Sequence, residues 1–129
     1  MEKISDKKRF SIIARIRSSD HAWRGLGILL RTGHNAWGHL FFAGLALYLG
    51  FLFSISITEW MILFVVIGLV LVTEALNTAI EIDVGLSSPG YNPFARDAKD
   101  VAAGAVLLSV FIAIVTGILI FGPRILMLL

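Results

Sequence analysis

The chain has 129 residues, 57% of them hydrophobic, with a mean hydropathy of +0.87. Soluble domains are roughly 45–50% apolar, so this chain has too little polar surface to cover itself in water, and a bilayer is its expected solvent. It has no cysteine and a net charge of only +2, which excludes a disulfide framework and thiolate chemistry.

The N-terminal segment carries most of the positive charge. Lys3, Lys7, Lys8, Arg9, Arg15, Arg17, Arg24 and Arg31 precede the first long apolar run, and only Arg96, Lys99 and Arg124 follow it. The start of the chain is too polar for a cleaved signal, so the apolar runs are expected to be retained spans. Residues 8–32 mix Phe10, Ile12, Ile13, Ile16, Trp23, Leu26, Leu29 and Leu30 with these basic groups. That is the composition of an amphipathic helix at the membrane surface, or of two short ones broken at Ser18, Ser19 and Asp20. A juxtamembrane segment that only sets topology has the same signature.

Three runs are long enough to span a bilayer as helices, at 36–55, 60–82 and 93–122. They lack the alternation of a barrel strand, so the backbone must satisfy itself within helices. The basic N-terminus reads as cytoplasmic, the connection 54–59 as external, and the connection 83–100, with Arg96 and Lys99, as cytoplasmic again. Trp37, Trp60 and Tyr91 fall near the expected interfaces. Gly85, Ser87, Ser88, Pro89 and Gly90 form a turn cluster. Asn92 followed by Pro93 reads as an N-cap and first helical position, and Pro123 is expected to close the last helix. One domain, 1–129, is expected.

The second span carries its own chemistry. Glu74, Asn77 and Glu81 recur at spacings of three and four, which puts them on one helical face. Charged groups inside a span are costly and usually functional. Two carboxylates and an amide make an oxygen set suited to Mg²⁺ and include a possible general base; hydrogen bonding between helices is the plainer use. Lys99 and Asp100 open the third span on the same side. A lysine near a helix N-terminus opposes the helix dipole, so a phosphate partner or a pairing with Asp97 or Asp100 is expected. His34, Asn35 and His39 could bind a metal or head group, but read first as interfacial residues satisfied by water and backbone. The set Glu74, Asn77, Glu81, Lys99 and Asp100 would suit phosphoryl transfer by positioning and Mg²⁺ electrostatics. A three-helix monomer offers little interior for it. The small residues Ala102, Ala103, Gly104 and Ala105 would let helices of neighbouring copies approach.

Two of these stretches resemble motifs of the prokaryotic diacylglycerol kinase family, small three-span lipid kinases that include undecaprenol kinases. Glu74-Ala-Leu-Asn77-Thr-Ala-Ile-Glu81 looks like the family's E-x-x-N-S/T-A-I-E signature, and Ala98-Lys99-Asp100 looks like its A-K-D box. Trp23-Arg24-Gly25-Leu26 resembles a weaker W-K/R-G-L element. The resemblance runs from about residue 10 onward. It implies an all-α integral membrane protein of the bacterial inner (cell) membrane, with a surface helix and three spans, a cytoplasmic N-terminus, and homotrimers that share their active sites. It also implies that ATP and Mg²⁺ are used to phosphorylate a lipid alcohol, diacylglycerol or undecaprenol, with no nucleic-acid partner. Glu74 would then be the base on the lipid hydroxyl and Glu81 the Mg²⁺ ligand, supported by Asn77. Lys99 would meet the nucleotide phosphates, with Asp100 beside it.

The sequence departs from the family at Gly33, at Gly85, and in the connection 85–92, which lacks the basic residues expected there. Gly33 stands where the family has a metal-binding glutamate, in a stretch resembling T-E-H-N-F-R-I-H that here reads Thr32-Gly33-His34-Asn35-Ala36-Trp37-Gly38-His39. Gly85 stands where an aspartate is usual. One Mg²⁺ ligand is then missing unless Asp83, a histidine or water replaces it, and His34 and Asn35 are supporting candidates. Two other functions fit parts of the same pattern. One is a homologue that binds nucleotide or lipid as a membrane trimer without turnover. The other is a small protein that handles protons or ions through Glu74.

Overall fold

The computed structural model describes residues 11–129; Lys3, Lys7, Lys8, Arg9 and Phe10, and with them the expected start of the surface helix, lie outside the described residues. Among the described residues every regular element is an α-helix: α1 (Ile12–Thr32), α2 (Ala36–Leu52), α3 (Ile57–Ser87) and α4 (Pro93–Leu126). α1 starts where the Ser11 side chain accepts from the Ala14 N–H. It runs unbroken through Ser18, Ser19 and Asp20, because Ser19 turns its hydroxyl back onto the Arg15 carbonyl instead of competing for the backbone. Ile12, Ile13, Ile16 and Trp23 remain exposed along it, so the rest of the described chain covers none of these four, although Leu29 near its end is buried.

The chain then turns by 101° between α1 and α2. The corner is held by Gly33 N–H on the Leu29 carbonyl at 2.7 Å and by Trp37 Nε1–H on the Leu30 carbonyl at 2.9 Å, which satisfy acceptors at the end of α1. α2 has only 17 residues, about 26 Å at 1.5 Å per residue, short of a hydrocarbon core of about 30 Å. It ends at Leu52, before the expected 55, as Ser54 takes a left-handed φ of 48°. α3 and α4 are each long and apolar enough to cross a membrane, whereas α1 and α2 meet that measure only jointly, as a bent pair.

α3 is longer than expected at both ends. Ser56 and Glu59 form a reciprocal capping box that starts it ahead of Trp60. It continues through Gly85, which belongs to the helix and not to the turn. α4 begins as expected, with Asn92 Oδ1 accepting from Phe94 N–H and Ala95 N–H. Pro123 does not end it. A proline so close to the terminus forfeits few helical bonds, and Arg124 secures the last turns by donating to the Ile120 carbonyl and, through both guanidinium ends, to Glu59 at 2.8 Å.

α3 is the central helix, with α2 against one side and α4 along its length. Near the 54–56 turn, Ile55, Leu63, Ile120 and Phe121 form an apolar cluster flanked by Ala46, Leu49, Phe53, Trp60 and Ile67. Gly50 lets the Trp60 ring lie on the α2 backbone, since a β-carbon there would fall 2.6 Å from the indole. Midway along the hairpin, the hydroxyls of Thr73 on α3 and Ser109 on α4 share a hydrogen bond of 2.8 Å. The buried polar side chains Glu74, Asn77 and Thr78 follow directly.

Candidate active site

The buried stripe of α3 continues through Leu63, Val66 and Val70 to Glu74, Asn77 and Thr78, so the helical periodicity that packs the apolar residues also carries the polar ones inward. Glu74 is fully buried. A buried carboxylate needs donors, and both of its oxygens face the corner between α1 and α2. The Asn35 backbone N–H donates to Glu74 Oε1 at 3.3 Å. His39 Nε2 stands 3.4 Å from Glu74 Oε2. That pair is within ion-pair range but misaligned for a hydrogen bond, so both atoms are buried without one.

Asn35 is the N-cap of α2, yet its own side chain makes no capping bond. The Glu74 carboxylate takes part of that role from another helix, at the positive end of the α2 dipole. One turn further along α3, Asn77 Nδ2–H donates to Glu81 Oε1 at 3.4 Å, and His34 Nδ1 lies 3.9 Å from Glu81 Oε2. The start of α2 therefore runs antiparallel to the stripe, His39 beside Glu74 and His34 beside Glu81. Asn77 Oδ1 and Thr78 Oγ1 are buried without partners.

Of the residues expected at a site, the structure joins Glu74, Asn77 and Glu81 with Asn35 and His34. It leaves Lys99, Asp100 and Asp83 outside this contact network. Lys99 and Asp100 are exposed and, with Arg96, Tyr91 and Asn92, line a separate cleft at the α3–α4 turn. Arg96 and Asp100 pair across one helical turn at 3.8 Å. Lys99 nonetheless opens the stripe of α4 that continues through the buried Ala102, Val106 and Ser109, and so starts on the side of α4 that faces α3. Asp83 is exposed. His34 is exposed, as an interfacial residue would be, whereas His39 is mostly buried against Glu74. His39 lies within the apolar run 36–55, and the same rule that singles out Glu74, an ionisable group inside a span, marks it too.

Among the described residues no three of His, Asp and Glu converge as a metal cage. The donors present suit Mg²⁺ all the same, because that ion commonly takes one or two carboxylates and completes its shell with water and substrate phosphates. Glu81, half-buried, and the unpartnered Asn77 Oδ1 are such oxygens. Gly33 has a packing reason of its own: a β-carbon there would meet the Leu29 carbonyl at 2.6 Å and the Ala36 β-carbon at 3.1 Å. Gly33→Ala is accordingly expected to destabilise the protein by about 1–3 kcal/mol, read as a lowered thermal midpoint in detergent. An unchanged midpoint would show that the corner yields freely.

The helices and this carboxylate–histidine stripe define a small membrane protein with an ionisable site set into its packed helices. The sequence profile described as "Prokaryotic diacylglycerol kinase" matches residues 20–121. The chain is 44% identical over 108 residues to the "Undecaprenol kinase" of Bacillus subtilis (strain 168), covering 84% of this chain and 88% of that one. It is 33% identical over 110 residues to the "Diacylglycerol kinase" of Synechocystis sp. (strain ATCC 27184 / PCC 6803 / Kazusa), covering 84% of this chain and 63% of that longer relative. The chain belongs to the prokaryotic diacylglycerol kinase family, and its relatives are lipid kinases.

Proposed function

We propose that the protein transfers the γ-phosphoryl group of ATP to the hydroxyl of a membrane lipid, with undecaprenol favoured over diacylglycerol. The observation that carries this reading is Glu74, a fully buried carboxylate that accepts from the Asn35 N–H and lies beside His39, a residue lining an apolar groove. The groove, about 370 Å³, is lined by His39, Phe42, Leu49, Val66, Val70 and Phe121, and suits a hydrocarbon chain whose hydroxyl ends near His39, next to Glu74. Undecaprenol is preferred because the relative named for it is the more similar of the two and is matched over more of its length.

In this reading Glu74 accepts the hydroxyl proton as the lipid oxygen bonds to the γ-phosphorus and ADP departs. Glu81, supported by Asn77, would hold Mg²⁺, which supplies neutralisation of the phosphate charge. Lys99 would meet the phosphates from the cleft at the α3–α4 turn, with Asp100 beside it. His34 lies beside Glu81 and Asn35 lends its backbone to Glu74, whereas Asp83 remains a candidate for the oxygen that Gly33 does not provide. α2, whose 17 residues are at the lower limit for a span, is the first of three spans, and α1 lies at the cytoplasmic surface of the bacterial inner (cell) membrane. Residues 1–129 act as one domain within a homotrimer, whose neighbours bring Lys99 of one copy to Glu74 of another. The exposed Ala103, Gly104 and Ala105 support such close approach.

The test is ATP-dependent phosphate incorporation by the purified protein in mixed micelles, with undecaprenol and diacylglycerol in parallel, each with Mg²⁺ and with chelator. Mg²⁺-dependent product, greater with undecaprenol, is expected. Nucleotide binding without product from either lipid would instead establish the second reading, a binding trimer without turnover, which Gly33 supports.

A further inference from the structure

We propose that His39 is a positioning residue for Glu74: its Nε2–H holds the Oε2 side of the carboxylate from within the helix packing, so that the oxygen is aimed at the end of the apolar groove. The inference rests on the reading of Glu74 as the base. Three observations carry it. Glu74 Oε2 and His39 Nε2 face one another at 3.4 Å, and each is buried without any hydrogen bond. A buried donor and a buried acceptor left unmade are costly, and the small rotation that aligns them satisfies both. Active-site hydrogen bonds are often long before substrate arrives and tighten when it binds.

The second observation is that the other oxygen, Oε1, is already held by the Asn35 backbone N–H. With one donor on each oxygen the carboxylate plane is fixed, while each oxygen keeps a further lone pair to receive a proton. Third, His39 also lines the apolar groove, alongside Phe42, Leu63 and Val70. The imidazole thus stands where the hydrocarbon path meets the carboxylate. It reaches that place because the corner before α2 puts His39 one helical turn beyond Asn35.

The experiment compares His39→Ala, His39→Gln and His39→Asn in the full chain in mixed micelles. The Gln amide nitrogen reaches about as far as Nε2, and the Asn amide nitrogen does not. His39→Ala is expected to lose about 100-fold in kcat with KM for ATP unchanged, His39→Gln to recover at least tenfold of that loss, and His39→Asn to stay near Ala. Wild-type kcat in His39→Ala, or equal losses in Ala and Gln, would overturn the proposal while leaving the kinase reading intact. A wild-type protein that makes no product would overturn the kinase reading, and this inference with it. If the variants do not fold, ¹⁵N-imidazole NMR of the unaltered protein decides: a protonated Nε2 on His39 that shifts in Glu74→Gln is expected, and an unprotonated Nε2 refutes the proposal.

Discussion

Glu74→Gln should lower kcat by about 10²–10⁴-fold, the usual contribution of a general base, without unfolding the protein. Glutamine keeps the volume and an acceptor for the Asn35 N–H. Its new amide donor would face His39 Nε2, and a neutral imidazole can exchange tautomers to accept it. The packing around α3 therefore survives while the proton acceptor is lost. Oligomer size and thermal midpoint in detergent should match the wild type, and the missing turnover should not be restored by raising ATP or lipid. A variant that keeps its turnover would remove Glu74 from the role of base.

Glu81→Gln should act differently. Glu81 is half-buried beside Asn77 and His34. Its neutral amide would weaken a Mg²⁺ site that has few protein ligands. Loss of a metal ligand should raise the Mg²⁺ concentration needed for half-maximal rate by at least tenfold, with partial recovery of rate at saturating Mg²⁺. An unchanged Mg²⁺ titration would place the metal elsewhere. The two variants thus separate in one assay: the Glu74 defect is insensitive to added Mg²⁺, the Glu81 defect responds to it.

Much of this arrangement is legible in the sequence, for physical reasons that differ by element. The stripe Glu74, Asn77 and Glu81 follows from helical periodicity alone, and Asn92-Pro93 specifies the start of α4 through local capping. The start of α3 is equally local: Ser56-Ile-Thr-Glu59 is a capping-box spacing, a signal independent of the apolar run that begins at Trp60. Other features depend on contacts between distant segments. Pro123 stays helical because Arg124 finds Glu59, a partner 65 positions earlier. The meeting of His39 with Glu74 depends on a corner whose angle is set by Gly33, Leu29 and Trp37 together, and no periodicity encodes it. α2 is shorter than its apolar run because apolar composition continues past Leu52, whereas the backbone turns at Ser54.

The pairing of Arg124 with Glu59 has a mechanical consequence. α3 and α4 are joined by a short turn at one end and by that two-point clamp at the other, with the Thr73–Ser109 bond between. The hairpin is thereby a closed frame that resists splaying. The corner of α1 and α2 is not enclosed in it, and near the site its polar attachments are the oxygens of Glu74 and Glu81 themselves. The frame acts as a stator and the corner as an arm that, near the site, meets it through the side chains of α3 alone.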